Sequence, residues 1–183
     1  LKEKLRRKID FEKFVQYLFF EQWKSLRKFC NDQGVEIFGD LPIYVTQDSS
    51  DVWANPEYFK LDDNGNPTVV AGVPPDYFSK TGQLWGNPVY DWDVLKQDSY
   101  QWWMQRLQYT LGIMDITRID HFRGFLAAWE VPAGDKTAEN GFWQPVPGVE
   151  FFSKVLEKFS DANIVAEDLG LITDEVREFM DHC

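Results

Sequence analysis

Apolar residues recur at three- and four-residue steps through positions 9–32. Phe11, Phe14, Val15, Leu18, Leu26 and Phe29 carry the stripe, with charged residues between them. This spacing predicts a long amphipathic helix, and Gly34 supplies its stop. The pattern then switches to a short apolar run, Val35-Glu36-Ile37-Phe38-Gly39, followed by Asp40 and closed by Leu41-Pro42, which predicts a strand. The same order returns twice. Tyr100, Trp103, Met104, Leu107 and Leu111 mark a helix near 97–111, ended by Gly112, and the run from Ile113 to Ile119 predicts a strand that delivers Asp120. Val149, Phe152, Val155, Leu156 and Phe159 mark a helix over about 149–160, and residues 163–166 predict a strand that delivers Glu167. Thr173 is placed to cap a last helix from Asp174 onward, whose first turn is acidic as the helix dipole favours.

Between these units the periodicity breaks down. Residues 46–95 are dense in Gly, Pro, Asn and Asp, as in Asp62-Asp63-Asn64-Gly65-Asn66-Pro67, a strong turn signal. A loop region of that length is uncommon in a compact domain unless it is functional, and aromatic residues are spread through it, so it reads as an ordered insertion over an active site. Residues 123–148 form a second irregular stretch. Asp48, Asp51 and Trp53 read as a turn with a packed Trp. Asp62 and Asp63 resemble part of a calcium loop, but no Glu stands at the final ligand position, so a plain turn is the better reading and no metal site is expected.

Three βα units point to an α/β fold. A strand that ends in an acidic residue after a β-branched run is characteristic of the catalytic end of a (β/α)₈ TIM barrel, yet a closed barrel needs eight units and roughly 250 residues. The chain therefore reads as a partial TIM barrel, an internal piece of about three βα units with long active-site insertions. No internal repeat or domain linker divides it.

Charge and composition narrow the chemistry. The 183 residues carry 30 Asp and Glu against 19 Lys and Arg, a formal charge of −11. That repulsion disfavours nucleic acid and anionic membranes as partners and leaves a neutral ligand open. No run approaches the roughly 20 apolar residues that span a bilayer, and no apolar stretch follows the basic start, so neither a membrane span nor a secretion signal is expected. Cys30 and Cys183 lack ligand-like spacing and read as free thiols in a reducing, cytoplasmic setting. Aromatic residues make up 16% of the chain, with eight Trp. Most belong to core packing, but the Trp and Tyr inside Gly/Pro-rich loops are suited to stacking on the C–H faces of pyranose rings. Two carboxylates on neighbouring strand ends complete the picture. On a sugar, one can attack the anomeric carbon while the other shuttles the leaving-group proton, at a separation of about 5–5.5 Å for a retaining reaction.

At this point five linked motifs carry a resemblance. They are Gly39-Asp40-Leu41-Pro42-Ile43-Tyr44-Val45 with Asp48-Ser49-Ser50-Asp51-Val52-Trp53; Val73-Pro74-Pro75-Asp76-Tyr77-Phe78-Ser79; Thr81-Gly82-Gln83-Leu84-Trp85-Gly86-Asn87-Pro88; Arg118-Ile119-Asp120-His121-Phe122-Arg123-Gly124-Phe125; and Ala166-Glu167-Asp168-Leu169-Gly170. In that order they resemble the 4-α-glucanotransferases (amylomaltase, or disproportionating enzyme) of the α-amylase superfamily, over about 34–175. The resemblance implies a TIM barrel, retaining chemistry on α-1,4-glucans and maltooligosaccharides, and no cofactor. It implies Asp120 as nucleophile and Glu167 as acid/base. A third carboxylate, on a later strand of the family, lies beyond the last residue of this chain, so the polypeptide is expected to hold only part of the active site and half of its barrel.

The remaining site expectations follow from placement. Arg118 lies two residues from Asp120 on the same strand face, where its guanidinium favours the ionised carboxylate. His121 points to the opposite face of a regular strand, but strand ends often break that alternation and could bring it to a sugar hydroxyl. Asp40 is balanced between a sugar contact and a turn cap. In the 72–88 loop, Tyr77, Phe78 and Trp85 are expected to cover the site, Asp76, Ser79 and Gln83 to hold hydroxyls, and Gly72, Gly82 and Gly86 to permit lid motion. Two alternatives stay open: a hydrolytic α-amylase-type relative, and a non-catalytic carbohydrate-binding fragment.

Overall fold

The computed structural model describes residues 1–169 and 173–183. The elements run α1 (Lys2–Asp32), β1 (Phe38–Leu41), α2 (Ser50–Ala54), β2 (Val69–Val73), β3 (Gln83–Pro88), α3 (Trp92–Gln97), α4 (Gln101–Ile113), β4 (Ile116–Ile119), β5 (Ala127–Pro132), β6 (Phe142–Pro145), α5 (Gly148–Lys158), β7 (Ile164–Ala166) and α6 (Asp174–His182), with single 3₁₀ turns at Pro56–Tyr58 and Phe122–Phe125. Two sheets organise the described residues. The parallel sheet has the order β1-β4-β7, and the antiparallel sheet has the order β3-β2-β5-β6.

The three predicted helix–strand units are present. α1 leads to β1, α4 to β4 and α5 to β7, and these strands are the parallel sheet. Gly34, at φ +74°, adopts the left-handed conformation that ends α1. The Val35 N–H then returns to the Cys30 carbonyl at 2.9 Å, which closes the helix end as a Schellman turn. Asp115 clips the first two units together. Its carboxylate accepts from the Ile37 N–H at 2.7 Å, from Asn31 at 2.9 Å and from Arg27 at 2.8 Å. Those bonds, the Ile37 N–H first, hold its carboxyl below the usual carboxylate range.

Three expectations need correction. The first helix begins at Lys2 rather than near residue 9, and none of its residues is buried, so its apolar stripe does not face a core formed by this chain. Tryptophan 23 and Arg27 nonetheless tie it to the carbonyls of Ile113 and Gly112. Thr173 occupies the N-cap position of α6 but makes no side-chain cap bond. Trp53 is not packed: it is 83% exposed, at the end of α2.

The two stretches read as irregular build the antiparallel sheet between them. β2 and β3 come from the 46–95 insertion, and β5 and β6 from 123–148. The centre of the sheet is the β2–β5 pairing, which sets Ala71 opposite Glu130 and Gly72 opposite Trp129. The core is aromatic. Trp103, Tyr90, Tyr100, Phe125 and Phe151 are fully buried, with Phe125 and Phe151 stacked at 5.3 Å and Trp103 edge-on to Phe125 at 5.2 Å. Each such ring contributes about 1.5–3 kcal/mol by burial.

One face of the parallel sheet is closed and the other is open. Gly39, Leu41, Thr117 and Ile119 point into the buried side, whereas Phe38 (57% exposed) and Val165 (43% exposed) share the open side with Asp40 and Arg118.

Candidate active site

Register places the charged groups. Asp40 lies opposite Arg118, and Arg118 opposite Val165, in the two parallel ladders. Side chains alternate along a strand, so Asp40, Arg118, Asp120 and Glu167 share one face. The ladder bonds persist one residue past the strands: the Asp120 N–H donates to the Leu41 carbonyl at 3.0 Å, and the Glu167 N–H to the Ile119 carbonyl at 3.0 Å. Asp120 and Glu167 thus stand side by side at the carboxyl ends of neighbouring parallel strands.

A single guanidinium joins them. Arg118 grips Asp40 with two bonds, Nε to Oδ1 at 2.8 Å and Nη2 to Oδ2 at 3.1 Å. Its Nη2 also reaches Asp120 Oδ1 at 2.9 Å, and its Nη1 reaches Glu167 Oε1 at 3.2 Å. Three carboxylates therefore share one cation whose planar fork fixes their directions. Their bonds raise the Arg118 pKa further, the Asp40 bond contributing most. The balance differs at Asp120. Its pKa is raised above the ordinary carboxylate value by burial first and by the Glu167 charge second, and Arg118 opposes both without cancelling them. The guanidinium alone predicted a lowered value; partial burial beside two other carboxylates reverses the sign.

His121 breaks the strand alternation. It adopts the left-handed conformation at φ 51°, which turns its N–H onto Glu167 Oε2 at 2.6 Å and its ring toward Trp85, edge-on at 4.7 Å. A non-glycine residue there stores about 1–2 kcal/mol of strain. Burial first, and the Arg123 charge second, push the imidazole pKa down to about 4. The ring is neutral at neutral pH, and its buried Nε2 has no hydrogen-bond partner among the described residues.

Beside these groups lies a cavity of about 270 Å³, whose walls include Asp120, Glu167, His121, Trp85, Gln83 and Asp76. Val73, Pro74, Pro75, Arg123, Trp143 and Leu169 complete it from positions that motif reading did not single out as contacts. Trp143 was visible only as an aromatic in an irregular stretch. Its placement comes from the β5–β6 hairpin, where it meets Trp129 edge-on at 5.1 Å and lies under the Arg123 guanidinium at 4.0 Å.

The 72–88 segment is a hairpin rather than a free loop. Gly72 sits inside β2, opposite Leu84 and Trp129, so hinge motion there is blocked by the ladder. The tip bonds to itself: Asp76 Oδ1 accepts from the N–H groups of Phe78 at 2.9 Å and Ser79 at 2.7 Å, and the Ser79 hydroxyl donates to the Gly82 carbonyl at 2.6 Å. Gly82, at φ +69°, makes the turn possible. Tyr77 (89% exposed) and Phe78 (77% exposed) pair with each other in solvent, their centroids 3.9 Å apart. Tyr77, Phe78 and Ser79 do not line the cavity, while Asp76, Gln83 and Trp85 do. Asp40 and Arg118 do not line the cavity either: Arg118 bonds Asp120 and Glu167, which do, and Asp40 bonds Arg118. Gly170, the last residue of the Ala-Glu-Asp-Leu-Gly motif, lies outside the described residues.

Fold and site together define a class: an α/β protein with paired carboxylates at parallel strand ends, opening on an aromatic-walled cleft. The 4-alpha-glucanotransferase family model matches residues 1–183, and the chain belongs to that family. It is 54% identical over 177 residues to a 4-alpha-glucanotransferase of Streptococcus pneumoniae, covering 97% of this chain and 35% of that protein. It is 53% identical over 174 residues to the enzyme of the same name from Aquifex aeolicus, covering 95% and 36%. Among solved structures, an amylomaltase from Streptococcus agalactiae in complex with acarbose superposes with a TM-score of 0.94 at 45% identity, covering 98% of this chain and 36% of that one. The chain thus spans about a third of the length of the relatives it matches.

Proposed function

We propose that this chain is the nucleophile-bearing part of a retaining 4-α-glucanotransferase. Asp120 attacks C1 of an α-1,4-linked glucose, the C1–O4 bond breaks, and Glu167 gives its proton to the departing O4. This leaves a β-glucosyl ester on Asp120. The 4-hydroxyl of an incoming maltooligosaccharide then attacks C1, loses its proton to Glu167 and releases Asp120, so the anomeric configuration is retained. The observation that carries the reading is the Arg118 clamp, which holds Asp120 and Glu167 on one cation at the mouth of an aromatic cavity. Burial makes Asp120 a more basic carboxylate, and Arg118 keeps the ionised form accessible. His121 contributes to the cavity wall, and Trp85 offers a stacking face. The 74–82 tip, with its exposed Tyr77–Phe78 pair, lies over bound glucan and shields the ester from water, and Asp76 and Gln83 meet sugar hydroxyls from the cavity wall.

The wider architecture follows from the sheet. Its open face carries Phe38 and Val165 without cover, and β1 and β7 are free edges among the described strands. We read the whole chain as one segment of a partial TIM barrel, with 46–95 inserted over the site; further strands cover the open face and bring a third carboxylate. Both cysteines are free, which fits the reducing cytoplasm, and no described helix is long and apolar enough to cross a membrane. The test is product analysis of the full-length protein with maltotriose. Transfer yields glucose together with maltotetraose and longer oligomers. Exclusive formation of shorter sugars contradicts transfer, and full turnover in Asp120→Asn contradicts the nucleophile.

A further inference from the structure

The 46–65 segment carries a second groove, outside the cavity at Asp120. Ser49 caps α2, its hydroxyl accepting from the Val52 N–H at 3.2 Å, and the Asn55 side chain closes the other end on the Asp51 carbonyl at 3.1 Å. Val52 is buried and anchors the turn. The register of α2 therefore directs Trp53 outward, where it is 83% exposed and has no ring partner among the described residues. The exposed indole presents an apolar ring face beside polar groups, the arrangement a ligand with both apolar and polar edges requires.

The indole borders a groove of about 460 Å³, a volume suited to a small ligand, whose other walls include Gln47, Asp48, Ser50, Pro56 and Leu61. Gln47 Nε2 is bonded to the Gly65 carbonyl at 2.7 Å, which fixes the far wall to the 62–66 turn. Asp62 spends its carboxylate inside that turn, on the N–H groups of Asn64 and Asn66. No Lys or Arg lines the groove, and Asp48 does. An anionic ligand is therefore disfavoured. An apolar ring face bordered by amide, hydroxyl and carboxylate groups matches a neutral pyranose, which presents C–H bonds on one side and hydroxyls along its rim.

We propose that this groove is a second contact for α-1,4-glucan, with Trp53 as the platform for one glucose face and Asp48 and Ser50 meeting its hydroxyls. The inference rests on the reading of the chain as an α-glucan-handling protein. A long glucan held here stays at high local concentration near the reacting cavity, so remote binding assists substrates longer than the cavity itself can hold.

Fluorine NMR of the 183-residue chain labelled with 5-fluorotryptophan tests it, with resonances assigned by single Trp→Phe substitutions. On titration with maltoheptaose, the Trp53 resonance is expected to shift to saturation, and to do so unchanged in Trp85→Phe. Asp48→Ala combined with Ser50→Ala is expected to raise the saturating concentration about tenfold, and cellohexaose, a β-linked control, to leave Trp53 unmoved. A shift at Trp85 without one at Trp53 overturns the second site and leaves the cavity reading intact. A shift at Trp53 without one at Trp85 supports the groove and counts against the cavity reading. Equal shifts with both sugars, or none at either residue, overturn the proposal.

Discussion

Replacing Lys60 with methionine strands a carboxylate inside the antiparallel sheet. Glu130 lies on β5, an interior strand, and is 2% exposed. Its Oε1 sits 2.6 Å from Lys60 Nζ. At that separation, and with an effective dielectric of about 20, the attraction is about 6 kcal/mol, most of it offset by the cost of taking both ions out of water. Removing one partner retains the desolvation cost and loses the attraction, so Lys60→Met is expected to destabilise the chain by about 3 kcal/mol or more. The field of Glu130 extends to Tyr44, whose phenol is raised by burial first and by Tyr90 and Glu130 after it. Replacing both partners with apolar groups, Lys60→Met with Glu130→Leu, removes the stranded charge and is expected to recover most of the loss. Urea denaturation followed by circular dichroism is the assay. With a slope of about 2 kcal/mol per molar, the single variant's midpoint falls by about 1.5 M and the double variant returns close to the parent. A double variant as unstable as the single one, or a single variant that costs less than about 1 kcal/mol, refutes the reasoning.

His121 supplies a pH signature. Its folded pKa of about 4 lies below its ordinary value of 6.5, so the folded state binds fewer protons than the unfolded one; stability is complete above pH 6.5 and falls by about 3 kcal/mol as the pH drops toward 4. His121→Gln should flatten that part of the stability curve, measured by urea midpoints at pH 7 and pH 4. Arg118→Gln removes the cation that opposes the rise at Asp120, so in the full-length protein the acid limb of kcat/KM moves to higher pH and turnover falls; a limb that stays in place contradicts the clamp. Gly39→Ala sets a methyl 2.3 Å from Met114 Cγ and should cost about 1–3 kcal/mol in thermal or urea unfolding, with Met114→Ala restoring most of it in the double variant.

The helix–strand units were legible because each combines a strong helical period with a following apolar run; Gly112, expected to stop its helix, instead lies inside α4, which ends at Ile113. Asp120 and Glu167 were legible because they follow apolar runs directly, and the parallel ladders do bring them onto one face with Arg118. The antiparallel sheet was not legible. Its strands are four to six residues long and interrupted by Gly and Pro, so β2 and β3 read as turns, and the pairing of β2 with β5 spans about 60 residues of sequence. The α1 stripe was visible but its burial was not, since periodicity reports a face and not what covers it. The αL turn at His121 and the sign of the Asp120 shift depend on contacts between elements, which local pattern does not encode. Trp53 was misread for the converse reason: an aromatic in a turn is usually packed, and its exposure follows from the register of a single five-residue helix.

The central claim is that Asp120 and Glu167 divide one reaction between them, and trapping the intermediate tests it most directly. Glu167→Gln removes the proton donor, whereas a maltotriosyl fluoride carries a leaving group that departs without one. Intact-mass analysis and peptide mapping of the full-length Glu167→Gln protein after exposure to α-maltotriosyl fluoride should find one maltotriosyl ester, on the peptide that contains Asp120. An ester on another carboxylate, or transfer that continues with Asp120 unmodified, contradicts the account.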